Sequence, residues 1–147
     1  MQQKSEHDSS GFRINWIDLI DNDTGVVVWH TNENYALPDI EHEAIIPRQI
    51  LDCRAVTRTT NFSFMHRINH FKAKHKEFLQ GDCIEEFEYE FGTVFAGLVV
   101  NWETTFERRQ EITSSFANVI SGDLRIETNF FDGDKLITTS NVIMFFE

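Results

Sequence analysis

The residues that could bind a metal ion are two histidines of the segment 66–79. His66 and His70 are four apart, and on a helix this spacing would place both side chains on one face, where they could share a metal. Two histidines without a third ligand are more typical of a solvated surface. We therefore predict no metal site, and no motif suggests another cofactor.

A second candidate group is the run of carboxylates Glu85, Glu86, Glu88 and Glu90. Paired carboxylates can carry out acid–base chemistry. Successive strand residues, however, point to opposite faces, so neighbouring carboxylates cannot flank one substrate atom. The alternation of the last three with aromatic residues indicates an acidic outer face. Since the sequence also has no Gly-rich phosphate loop, nucleophile elbow or HExxH motif, we predict no catalytic residues and no enzyme.

Arg58 is the remaining candidate, because it shares a strand face with Val56 and Thr60. If Val56 is buried, Arg58 points into the same space. Its stem could pack there while its head reaches water. Alternatively, Arg58 lines an interior cavity and offers donors to a polar ligand group. In that case Glu85, which is in register with the inward-facing Tyr89, is its predicted partner.

Length and composition predict one globular domain with a sizeable core. The chain has 147 residues, 41% of them hydrophobic, with 14 Phe, and aromatic residues favour pleated surfaces. The net charge of −11 argues against nucleic acid and against stable binding to anionic membranes. Two cysteines, no signal-peptide core and no apolar run of membrane-spanning length predict a reduced, soluble, cytoplasmic protein.

The hydrophobic pattern predicts a β-protein. Residues 1–10 are interpreted as a flexible tail and residues 11–147 as the domain. The segment 66–79 carries Ile68, Phe71 and His75 at helical spacing and is predicted to be the one helix. Asp132-Gly133 predicts a hairpin turn. The predicted strands, which suggest a two-sheet antiparallel sandwich of immunoglobulin-like type, are 11–21, 26–30, 40–47, 53–64, 82–92, one or two within 94–109, 123–131 and 135–146.

Several spaced motifs resemble one known family in the same order. They include GFRINWIDL, EHEAIIPRQIL, NFS, YEFG, NVISG and TSNV. From Gly11 to Glu147, the chain resembles the family of the delta subunit of rod cGMP phosphodiesterase, also called prenyl-binding protein delta. The resemblance covers nearly the whole chain.

This resemblance implies an immunoglobulin-like sandwich with an apolar cavity between its sheets, and a function that is not enzymatic. Members bind the lipidated C-terminus of farnesylated or geranylgeranylated proteins, small GTPases among them. Arf-like GTPases in the GTP form then release this cargo. The expected location is the cytoplasm, with a possible association with the cilium or basal body.

The family's pocket positions can be carried over residue by residue. This sequence departs from the family at Phe87, where Trp is usual, at Phe146, where Tyr is usual, and at His75, where Gln is common; the segment 106–115 is also more polar. The resemblance implies a lipid-binding pocket formed by Ile17, Leu19, Ala44, Ile46, Leu51, Val56, Arg58, Phe87, Tyr89, Trp102, Ile120, Ile126, Thr128, Phe130, Val142, Met144 and Phe146.

Two alternatives stay open at this point. The chain could carry N-myristoylated proteins, or it could be a protein-interaction module whose sandwich core is filled and has no lipid cavity. Both are compatible with the same strand pattern.

Overall fold

The computed structural model describes residues 11–107 and 113–147. The predicted tail at residues 1–10, and residues 108–112 of the polar segment, lie outside the described residues. Within the described ranges the chain forms nine strands, in chain order β1 (Phe12–Asp21), β2 (Val27–Thr31), β3 (Glu41–Ile46), β4 (Ala55–Phe64), β5 (Ile68–Leu79), β6 (Asp82–Val94), β7 (Val99–Glu107), β8 (Leu124–Asp132) and β9 (Lys135–Phe146).

The strands form two sheets that pack face to face. The first has the order β2-β1-β4-β7, and the second has the order β3-β9-β8-β5-β6. Side chains from both sheets contribute to one buried hydrophobic cluster. The predicted all-β, immunoglobulin-like two-sheet sandwich is therefore confirmed. One pair differs from the antiparallel prediction, because β3 runs parallel to β9; β3 joins the edge of the second sheet without a hairpin that would fix its direction.

The helix predicted at 66–79 is wrong, since this segment forms the long strand β5. Among the described residues, the chain instead has 3₁₀ turns at Arg48–Asp52 and Ser114–Phe116 and one short helix, α1, at Ala117–Ile120. Within the described ranges, no helix has the length and apolar character that crossing a membrane would require.

Pairing with β6 explains why β5 is extended. Lys72, Lys74 and Lys76 lie directly opposite the acidic residues Glu90, Glu88 and Glu86, in that order. The Lys74 Nζ atom is 3.5 Å from a carboxylate oxygen of Glu88. Opposite charges facing each other across two strands stabilise a sheet by about 0.2–1 kcal/mol per pair. The alternating lysines thus fix an outer face, and the residues between them face the interior.

The same extended geometry removes the argument for a shared metal. His66 lies in a bend before β5 and His70 lies on β5, and both are exposed. The helical spacing that would bring them together is therefore lost. No group of three or more metal-ligating side chains occurs in the part of the chain that the structure describes.

Phenylalanine side chains fill one end of the sandwich. The Phe12 ring stacks on Phe64 with centroids 4.6 Å apart. The centroids of Phe62 and Phe71, which come from different sheets, are 5.1 Å apart, and Phe130 stacks on Phe71 at 5.9 Å. Such aromatic pairs bury large areas and add to the stability of the core. This cluster holds the two sheets together at the end where β1 begins and β4 ends.

Replacing Phe71 should test this role. Phe71 is fully buried, so Phe71→Ala should lower the free energy of unfolding by about 3–5 kcal/mol, measured by urea denaturation. Phe95 is 53% exposed, and Phe95→Ala serves as the control with a much smaller loss. Equal losses for the two variants would contradict the account of the aromatic cluster.

Candidate functional site

A cavity of about 130 Å³ lies between the two sheets. A single water molecule needs only on the order of 10–15 Å³ of such space, so the cavity is far larger than a packing defect. All nine strands contribute to its wall, together with Tyr35 and Ile50. Most of the lining side chains are aliphatic or aromatic, which is the composition expected of a site for an apolar ligand.

Most positions of the predicted pocket line this cavity. They come from both sheets, and their alternation along each strand turns them inward. The predicted pocket residues found in the lining are Ile17, Leu19, Ala44, Ile46, Val56, Arg58, Tyr89, Trp102, Ile126, Thr128, Phe130, Val142, Met144 and Phe146.

Three predicted positions lie outside the lining. Leu51 is buried in the 3₁₀ turn, and its neighbour Ile50 faces the cavity instead; in a turn of three residues per revolution, neighbours point in different directions. Ile120 is buried in α1. Phe87 packs beside the wall, with its ring centroid 6.2 Å from Tyr89 and 5.9 Å from Phe106.

One part of the wall is polar and bridges the two sheets. Arg58 on β4 donates from Nη1 to Nδ1 of His75 on β5, at 3.2 Å. Since Nδ1 accepts this bond, Nε2 carries the proton of the neutral ring and points to Oε2 of Glu77 at 3.4 Å. The guanidinium carbon of Arg58 also lies 5.7 Å from the centroid of the Tyr89 ring. The polar bridge, defined as Arg58, His75 and Glu77, therefore spans the space between the sheets.

Burial controls the charges of the polar bridge. It lowers the pKa of His75 below its ordinary value, although hydrogen bonding to Glu77 opposes this. It also lowers the pKa of Arg58 and raises the pKa of Tyr89, because each charged form loses its hydration. His75 is therefore neutral near pH 7, and it lies between the guanidinium of Arg58 and the carboxyl group of Glu77.

The acidic residue in the cavity wall is Glu77 and not the predicted Glu85. Glu85 lies on β6, directly opposite Glu77 in the β5–β6 pair, and is half-buried outside the lining. A polar pocket pair of Arg58 with Glu85 stays a prediction, whereas Glu77 contributes to the electrostatic surroundings of Arg58.

Thr104 adds an unsatisfied hydroxyl to the wall. It lies on β7, directly opposite Arg58 in the β4–β7 pair, and it lines the cavity. Its Oγ1 atom is buried and has no hydrogen-bond partner. An unpaired buried hydroxyl lowers the stability of the folded state by about 1–3 kcal/mol. Such groups are therefore rare in native structures.

A comparison with protein families agrees with the geometry. The model of the family described as GMP-PDE, delta subunit, matches residues 6–146. This match spans nearly the entire chain. The chain belongs to the GMP-PDE delta subunit family. The resemblance on which the predicted pocket was based is thereby confirmed at the level of the family.

Several polar residues of the cavity wall were not among the pocket positions predicted from the sequence. His75 stands where the resemblance leads us to expect Gln, and the structure places it at the centre of the polar bridge. Glu77 and Thr104, which line the cavity, were not predicted to face it. The signal for Glu77 was present as the alternation of Phe71, Ala73, His75 and Glu77 with lysines, but the helical interpretation of 66–79 concealed it.

The buried neutral His75 predicts a specific pH dependence. A histidine whose pKa is lowered on folding binds fewer protons in the folded state, so stability falls as the pH drops below 6.5, the ordinary value, towards the folded pKa. We expect His75→Gln to remove this part of the acid-side loss, as measured by urea denaturation between pH 7.5 and about pH 5.

His30 provides a control of the opposite sign. A hydrogen bond to Asp18 raises the pKa of His30, so its contribution is present at low pH and disappears as the pH rises. His30→Asn should not reduce the acid-side loss. The account of His75 fails if wild type and His75→Gln lose stability in parallel on acidification.

Proposed function

We propose that this protein binds the prenylated C-terminus of farnesylated or geranylgeranylated proteins, small GTPases among them, and shields the lipid from water. The observation that carries the proposal is the apolar cavity between the sheets, in a chain of the GMP-PDE delta subunit family. The protein acts as a carrier and catalyses no reaction.

The energetics favour a reversible carrier. Burying a prenyl group of about 15 carbons at ~0.8 kcal/mol each yields a gross gain on the order of 10 kcal/mol. Association and ordering remove a large part of this gain. The remainder is sufficient to compete with a membrane for a singly lipidated protein, and the complex can still dissociate.

The wall can adapt to a flexible chain. Met144 lines the cavity and is only partly buried, and methionine side chains have three rotatable bonds and fill irregular spaces. Ala44, Ala73 and Ser140 keep other parts of the wall small. The open space favours a lipid carrier over an interaction module with a filled core.

Release of the lipidated cargo requires a second binding event. An Arf-like GTPase in its GTP form would bind a conformation with lower affinity for the lipid, and by linkage the affinity lost by the cargo equals that lost by the GTPase. Delivery in the cytoplasm, and at the cilium or basal body, is part of the same proposal.

Titration of a fluorescent farnesylated, carboxymethylated peptide tests the binding. We expect saturable binding that unlabelled farnesylated or geranylgeranylated peptide displaces and that the unprenylated peptide does not. Displacement by N-myristoylated peptide at lower concentrations than by prenylated peptide would favour the myristoyl carrier instead. Addition of a GTP-loaded Arf-like GTPase should then release the probe, and its GDP form should not.

Filling the cavity should abolish binding. Met144→Trp adds volume inside the wall, so we expect loss of the farnesylated peptide signal while the circular dichroism spectrum stays that of the wild type. Leu136→Trp, on the same strand at a residue that is 52% exposed, is the matched control and should bind normally. Normal binding by a folded Met144→Trp variant would remove this cavity from the proposed site.

A further inference from the structure

The polar part of the cavity wall contains a buried hydroxyl group that a hydrocarbon chain cannot hydrogen-bond. Thr104 is 9% exposed, lines the cavity and leaves its Oγ1 without a partner. A prenyl chain consists of carbon and hydrogen, so it would bury this hydroxyl further without satisfying it. The cost of an unpaired hydroxyl would remain in the complex with such a ligand.

Arg58 and Glu77 define which polar group would fit beside Thr104. Arg58 lies directly opposite Thr104 and offers N–H donors, while Glu77 on the facing sheet offers acceptor oxygens. Arg58 and Glu77 lie on either side of the neutral His75. An ionised carboxylate would bring acceptor oxygens and a desolvated charge next to the acidic Glu77 in the cavity wall, whereas a hydroxyl can both accept and donate a hydrogen bond without adding charge.

We propose that the cavity also binds free lipid alcohols, with the hydroxyl head seated at the subsite formed by Thr104, Arg58 and Glu77. The head accepts a hydrogen bond from Thr104 or Arg58 and donates one towards Glu77, while the chain occupies the apolar space. This goes beyond the proposed function, because the ligand is an unconjugated small molecule and no cargo protein takes part. It requires only the cavity that both ligands would share.

Three probes with one isoprenoid chain separate the contributions of the head. Farnesol carries the hydroxyl, farnesene carries no polar head, and farnesoic acid carries an ionised carboxylate at pH 8. Because Trp29 and Trp102 line the cavity, tryptophan fluorescence reports binding without a labelled peptide. We expect farnesol to bind about fivefold more tightly than farnesene, the effect of about one net hydrogen bond, and more tightly than farnesoic acid.

Substitutions then assign the effect to the subsite. Thr104→Val keeps the shape and removes the hydroxyl, so it should abolish most of the preference for farnesol over farnesene. Thr105→Val is the matched control, because Thr105 is exposed on the same strand and its hydroxyl lies 2.9 Å from that of Thr57. Glu77→Gln should improve binding of farnesoic acid relative to farnesol. Thermal unfolding checks that all three variants are folded.

The outcomes also separate this inference from the proposed function. If farnesol binds no better than farnesene, if Thr104→Val leaves the preference unchanged, or if farnesoic acid binds most tightly to the wild type, the inference is overturned. Binding of farnesylated peptide without binding of free farnesol would overturn the inference and leave the carrier function standing. Binding of farnesol without binding of farnesylated peptide would do the reverse.

Discussion

The two sheets turn apolar faces towards each other and enclose a space that their own side chains do not fill. Protein interiors are normally packed like organic crystals, and each unfilled volume lowers stability. Here the aromatic cluster around Phe12, Phe62 and Phe71 packs one end tightly. The free energy gained there allows the remainder of the sandwich to stay open, and the proposed lipid chain would make contacts that the cavity wall lacks.

The polar bridge places hydrogen-bonding groups inside this largely apolar space. Arg58 and His75 join the two sheets across the cavity, and Glu77 contacts His75 from the other side. Buried ionic groups stabilise little by themselves, because their desolvation offsets their attraction. In this fold they place donors and acceptors at a defined point of a cavity that is otherwise lined mostly by apolar side chains.

Sequence alone predicted the fold and much of the cavity wall wherever strand alternation was clean. On β8 the inward residues, among them Ile126 and Thr128, alternate cleanly with polar residues, so their direction could be derived. On β9 residues 142–146 are apolar on both faces, and the inward position of Met144 came from the resemblance. On β5 the spacing of Ile68, Phe71 and His75 suits a helix, and a strand buries all three only because its pairing with β6 is irregular between Ile68 and Phe71. The cross-strand glutamates that favour the strand lie elsewhere in the chain. The missing partner of Thr104 depends on neighbours from several strands, which no sequence pattern encodes.

We propose that a prenyl chain occupies the space between the two sheets. Isotope-filtered nuclear Overhauser measurements on the protein with a ¹³C-labelled farnesylated peptide can detect where the chain lies. We expect contacts from the farnesyl methyl groups to methyl groups in the cavity wall, such as those of Ile17, Ile126 and Val142. Contacts only to exposed methyl groups, such as those of Ile45 and Val119, would contradict this proposal.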